Sequence, residues 1–228
     1  MNNLAFLLRR ARVRIAVKLY HLGLVGLAEF SAGMGLDEIQ AEYQDTLYGA
    51  MADYLESSRP VTSFKNEFAR AVNDAFTLAF YAGWADGGAS GPIPDDAQAW
   101  LNGRIDQEIA FADELFTKLK ILRDDPETSP DDKLAYAEMR AQGYTASLAG
   151  VYNQGKMMAD PYRVGVWHLG PTSAHCDTCA WLDGQEHPLQ WYLDNGYVPQ
   201  EPGSSQLDCR GYNCLCTIDS PEGDQLVP

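Results

Sequence analysis

The first 175 residues of this 228-residue chain contain no cysteine, so neither a disulfide nor a thiolate site can be assigned to them. Long apolar runs are also missing: none reaches the roughly 18 residues that span a bilayer, and no membrane span is expected. Basic residues are scarce after position 21, where 12 lysines and arginines face 32 acidic side chains. A body of that charge is repelled by a phosphate backbone, which excludes sequence-specific nucleic-acid binding through it. Several catalytic signatures are absent as well. There is no H-E-x-x-H, G-x-S-x-G or G-x-G-x-x-G, and no H-x-E stands ahead of a P-C-x-x-C as in zinc deaminases. Gly150 to Lys156 satisfies G-x4-G-K, but Met157 stands where a phosphate loop needs a Ser or Thr, and the preceding pattern is helical.

The chain is not short of apolar residues. At 46% hydrophobic and 21% charged it has the composition of a folded globular protein with a sizeable core. The N-terminal stretch MNNLAFLLRRARVRIAVKLYHLGLVGLAEF places basic before apolar residues, as a secretory signal does. Lys18 and His21 interrupt its apolar part and no small-residue cleavage site follows, so the expectation is no signal peptide and a reducing compartment. Arg9, Arg10, Arg12, Arg14 and Lys18 all precede the first acidic residue, Glu29. These arginines are the one candidate contact for an anionic partner, set against the plainer reading of an amphipathic helix face.

Residues 3 to about 160 read as successive helices. Leu4, Leu8, Ala11, Ile15, Leu19 and Leu22 draw a first apolar stripe at spacings of three and four. A second runs from Leu36 through Ile39, Tyr43 and Leu47 to Tyr54. A third has Phe64, Phe68, Val72, Phe76 and Phe80 four apart, after Thr62 and Ser63 as candidate N-caps. Beyond the DGGASGPIPD loop, Leu101, Ile105, Ile109, Ala112, Phe116 and Leu119 form a fourth stripe. Ser129 with Pro130 and Asp132 predicts the start of a fifth helix, expected to run to Ala159. The fold class is therefore mainly α: an N-terminal region, 1–160, holding a bundle of about five helices.

From 161 to 228 the periodicity gives way to turn signals, prolines and aromatics, and a small turn-rich α+β module is expected, with Asp183-Gly184 as a candidate hairpin turn. Trp167, Trp181, Trp191, Tyr192, Tyr197 and Tyr212 supply much of its bulk. A segment this small with few aliphatics usually needs a staple. All five cysteines lie here, spaced C-x2-C-x29-C-x4-C-x-C. A pair at x2 reaches one ion from a tight turn, and a second group about thirty residues on completes a tetrahedron, which suits one structural Zn2+ per chain. The predicted ligands are Cys176, Cys179, Cys209 and Cys214, with Cys216, His175, His168 and His187 as alternates. Three rival readings stay open: a disulfide framework with one thiol left over, a redox C-x2-C, and a catalytic zinc or thiol site in a hydrolase or redox enzyme.

The order of these elements has a further meaning. A helix ending Tyr152-Asn-Gln-Gly-Lys156, a strand carrying Trp167, a C-x2-C before Leu182-Asp183-Gly184 and a closing Cys214-Leu-Cys216 together resemble the Mu F-like minor head proteins of tailed bacteriophages. The resemblance covers residues 130–218. Many members of that family close with His-Pro-Asn-Cys-Arg-Cys; here Cys209-Arg-Gly-Tyr-Asn stands in place of the histidine, which favours Cys209 as a ligand. The resemblance implies a non-enzymatic virion protein acting in head morphogenesis near the portal. Its partners would be portal and capsid proteins, it would be oligomeric in the particle, and it would be assembled in the host cytoplasm.

Overall fold

In the computed structural model, residues 13, 15, 17, 18, 34–57, 59–172, 174–201, 206–211 and 214–228 are described. The first predicted stripe falls mostly outside them, as do Arg9, Arg10, Arg12 and Arg14. Ile15, placed on that stripe by its spacing, is 52% exposed, whereas Val13 is buried at 2%. The buried face at this point is thus rotated from the one the spacing predicts.

The architecture is mainly helical. Its described helices of the bundle are α1 (Leu36–Glu56), α2 (Val61–Asp86), α3 (Asp95–Asp124), α4 (Pro130–Thr145) and α5 (Ser147–Ala159). No helix among the described residues is long and apolar enough to cross a membrane. Ile39, Tyr43, Leu47 and Tyr54 of α1, the Phe64–Phe80 row of α2, and Leu101, Ile105, Phe116 and Leu119 of α3 share one core. Edge-to-face contacts of Phe116 with Phe64 and Phe68, and of Phe68 with Tyr144, bind α2, α3 and α4 together.

Two helix boundaries differ from the sequence expectation. Helix α2 starts after Pro60 with no side-chain cap, so Thr62 and Ser63 lie inside it; Ser63 Oγ accepts a hydrogen bond from Arg59 Nε at 3.0 Å. The predicted helix from Pro130 to Ala159 is interrupted at Ala146. There Thr145 donates its hydroxyl to Gln142 O and Ser147 donates to Tyr144 O, each at 2.7 Å, so the side chains compete for carbonyls of the helix ladder. The predicted start is present: Ser129 Oγ accepts from Asp132 N at 3.2 Å, with Pro130 following.

Helices α2 and α5 make the most extensive contact of the bundle. Glycines allow it: a Cβ on Gly83 would stand 2.0 Å from Tyr152 O, and one on Gly155 would stand 2.3 Å from Phe80 O. The G-x4-G-K match is therefore a helix-packing surface. Gly155 is where one backbone meets another rather than a phosphate.

After α5 come β1 (Val164–His168), α6 (Asp177–Leu182), β2 (Glu186–Pro188), α7 (Leu189–Asp194), β3 (Thr217–Asp219) and β4 (Gln225–Val227). The strands form one antiparallel sheet in the order β2-β1-β3-β4, with Trp167 opposite Ile218. Asp183-Gly184 does not close a two-residue hairpin. It ends α6 and turns into β2, with Gly184 at φ +75° and its N–H donated to Trp167 O.

The core of this part also departs from the expected aromatic filling. Trp167 and Tyr192 are fully buried, but Trp181 is 56% exposed, and Leu182, Leu189, Val198, Leu207, Ile218, Leu226 and Val227 do much of the filling. Tyr212 lies outside the described residues. Cys179, Cys214 and Cys216 belong to the core itself.

The module is tied to the bundle by polar groups the sequence does not advertise. Asn153 of α5 donates to Pro199 O at 3.0 Å and Pro228 O at 3.1 Å. Arg104 of α3 bonds Glu108 at 2.9 Å and Glu201 at 2.6 Å, all three buried. Gly150 leaves room for Glu201, since a Cβ there would meet its Oε2 at 2.2 Å. Burial, partly offset by Arg104, pushes the Glu201 carboxyl from the ordinary 4.5 up to about 7. Because the folded value lies above the unfolded one, the contribution of the protonated form is full below about pH 4.5 and is lost as pH rises through about 7. Glu201→Gln stays neutral throughout. Wild type should therefore lose about 3 kcal/mol relative to that variant between pH 4.5 and 8. Urea unfolding of both proteins across this range measures it, and a pH-independent difference would refute the assignment.

Candidate metal centre

Each cysteine reaches the centre for a local reason. Cys176 is the N-cap of α6, and its sulfur accepts the Cys179 N–H at 3.4 Å. This turn brings the two thiols of the C-x2-C to the same side. Cys209 sits in a turn where Arg210 (φ +51°) and Gly211 (φ +73°) both take left-handed conformations. Asp208 clamps that turn to α6 by accepting from Thr178 N at 3.0 Å and Thr178 Oγ1 at 2.7 Å. Cys214 and Cys216 lie in the segment that leads into β3. Both are buried while Leu215 between them is 48% exposed, so the two sulfurs point inward together.

The sulfurs fall into two groups, Cys176–Cys179–Cys209 and Cys179–Cys214–Cys216, within each of which all lie within 4.8 Å of one another. Cys179 belongs to both. A tetrahedral ion with Zn–S bonds of about 2.3 Å separates its sulfurs by about 3.8 Å, so either group of three is near ligand spacing, and a fourth sulfur comes from the other group only as the two close up around Cys179. A cavity of about 190 Å³ lies between them, lined by all five cysteines together with Thr172, Ala174, His175 and Leu215. The cysteine clusters can hold a metal ion, and all five cysteines are free of disulfides.

The predicted set Cys176, Cys179, Cys209 and Cys214 is thus gathered in one place, and Cys216 with it. The imidazole alternates fare differently. His175 lines the cavity and pairs its Nδ1 with Thr172 Oγ1 at 3.3 Å. His168 is half exposed on β1, 3.9 Å from Asp219, and His187 stacks on Trp191 at 3.7 Å. Among the described residues no histidine or carboxylate joins either sulfur group.

Electrostatics single out Cys216. Hydrogen bonds from the Cys179 and Cys214 thiols hold the Cys216 thiol well below its ordinary range, helped by the Gly170 N–H and the Trp167 indole. The buried Trp167 N–H falls short of hydrogen-bond geometry to any acceptor, so its part is that of a dipole aimed near the sulfur. Cys209 moves the other way, pushed up to about 11 chiefly by burial. Sulfurs crowded this closely cannot all ionise without a cation between them.

Sequence reasoning missed Asp208 and Gly170. The adjacency of Asp208 to Cys209 was a readable sign of a clamp at the metal turn. Gly170 was not readable: a Cβ there would stand 2.0 Å from Leu215 O, so the absence of a side chain lets the chain before the C-x2-C pack against the backbone at Leu215. Compared with known proteins, the chain matches no protein-family model, no curated protein and no solved structure.

Proposed function

We propose that this protein is a structural component of a tailed-bacteriophage head, a minor head or portal-proximal protein acting in head morphogenesis, with one structural Zn2+ per chain. The observation that carries the reading is the ordered set Tyr152–Lys156, Trp167, C-x2-C, Leu182-Asp183-Gly184 and Cys-x-Cys. Zinc is favoured because an all-sulfur donor set suits a borderline-soft ion without redox chemistry. Four thiolates leave no position for a substrate or an activated water, which favours a closed structural site over hydrolysis. In this reading the metal fixes the module, and the module with the exposed helix faces docks against portal or capsid subunits.

Mass spectrometry of purified procapsids and virions of the encoding phage tests it. The protein should be present in both or in procapsids alone, at a copy number far below that of the major capsid protein. Absence from both particles refutes the assembly role. A second reading, an enzyme using the cysteine cluster, draws on the low Cys216 thiol. Rapid alkylation of Cys216 in the zinc-loaded protein would favour it.

A further inference from the structure

The metal knuckle carries a row of rings on its surface. Trp181 of α6 meets Tyr197 edge-on at 6.2 Å, Tyr197 lies 5.6 Å from Trp191, and Trp191 stacks on His187 at 3.7 Å. Trp181 is 56% exposed, an unusual exposure for a large indole. It stands four residues after Asp177, also exposed, so on α6 the carboxylate and the indole share one helix face. Residues 177–197, which supply every ring of the row, contain four carboxylates and no lysine or arginine.

We infer that this row is a docking site for an arginine-bearing segment of a partner protein. A guanidinium stacked on Trp181 gains from the ring's negative face and can fork its N–H groups onto the Asp177 carboxylate. An ammonium fits less well, because it is a compact, strongly hydrated charge that neither stacks nor forks. The surrounding carboxylates steer a cationic chain and repel an acidic one. The inference deepens the assembly reading by naming the chemistry of the docked partner. It has its own readout, since particle composition and peptide binding are measured separately.

The test is calorimetric titration of the zinc-loaded full-length protein with hexa-arginine, hexalysine and hexaproline peptides at physiological salt. Saturable hexa-arginine binding is expected, with hexalysine at least about fivefold weaker and hexaproline silent. Trp181→Ala and Asp177→Asn should each weaken hexa-arginine about tenfold, with zinc content unchanged as the control for folding. Equal binding of the two cationic peptides, indifference to Trp181→Ala, binding of hexaproline instead, or no saturable binding up to about 1 mM would each overturn the inference.

Discussion

Stripping the metal from zinc-loaded protein is expected to unfold residues 161–228 while leaving the helices of the bundle in place. The two parts have separate apolar cores: one built by α1 to α5, the other around Trp167, Tyr192 and three of the cysteines. The second is small and its strands are three to five residues long. Structural zinc contributes about 10–16 kcal/mol in comparable small sites, more than a core of this size supplies alone. Without the ion, crowded thiols must reprotonate in the interior and Cys214 and Cys216 lose what holds the lead-in to β3. Near-UV ellipticity, to which the buried Trp167 and Tyr192 contribute, should fall sharply on chelation while far-UV helix signal is largely kept. Full retention of the aromatic signal would show that the module folds without metal. Cys179→Ser should abolish zinc binding outright, because Cys179 is the one sulfur common to both groups. One of the remaining four substitutions should leave about one zinc per chain, and zinc content after Cys209→Ser and Cys216→Ser, the raised and the lowered thiol, is the first comparison to make.

How much of this could be read from the sequence follows from the range of the forces involved. The helices α1 to α3 were legible because burying one face of a helix imposes a spacing of three and four that survives any tertiary arrangement, as Phe64 to Phe80 shows. The break at Ala146 was not, because it depends on which carbonyl two hydroxyls choose. The cysteine cluster was legible as a set, since thiolate chemistry restricts the spacing of ligands. The identity of the spare thiol was not, because it is decided by how the turn at Cys209 and the segment Cys214–Cys216 that leads into β3 converge on Cys179. Aromatic residues misled most. Trp181 and Trp167 look alike in composition, yet one fills the core and the other faces solvent.

The other large expected effect concerns Arg104, which no local pattern marks. Its guanidinium lies over the Phe76 ring at 5.2 Å and bonds Glu108 on its own helix and Glu201 in the module. Both carboxyls are raised by burial, and Arg104 lowers each, with a hydrogen bond from Ser147 adding to it at Glu108. Arg104→Met keeps much of the volume but leaves two buried carboxyls without their cation. The expected loss is about 3–5 kcal/mol, the usual cost of breaking a buried pair from one side. Arg104→Lys should recover part of it only, since an ammonium cannot fork to partners on two elements. Neutralising the carboxyls as well, in Arg104→Met with Glu108→Gln and Glu201→Gln, should restore most of the stability, because the penalty is for stranded charge and not for lost contact. Urea unfolding of the single, conservative and triple variants at pH 8 measures all three effects. A triple variant no more stable than Arg104→Met would show instead that the packing of the arginine over Phe76, and not its charge, holds the module to the bundle.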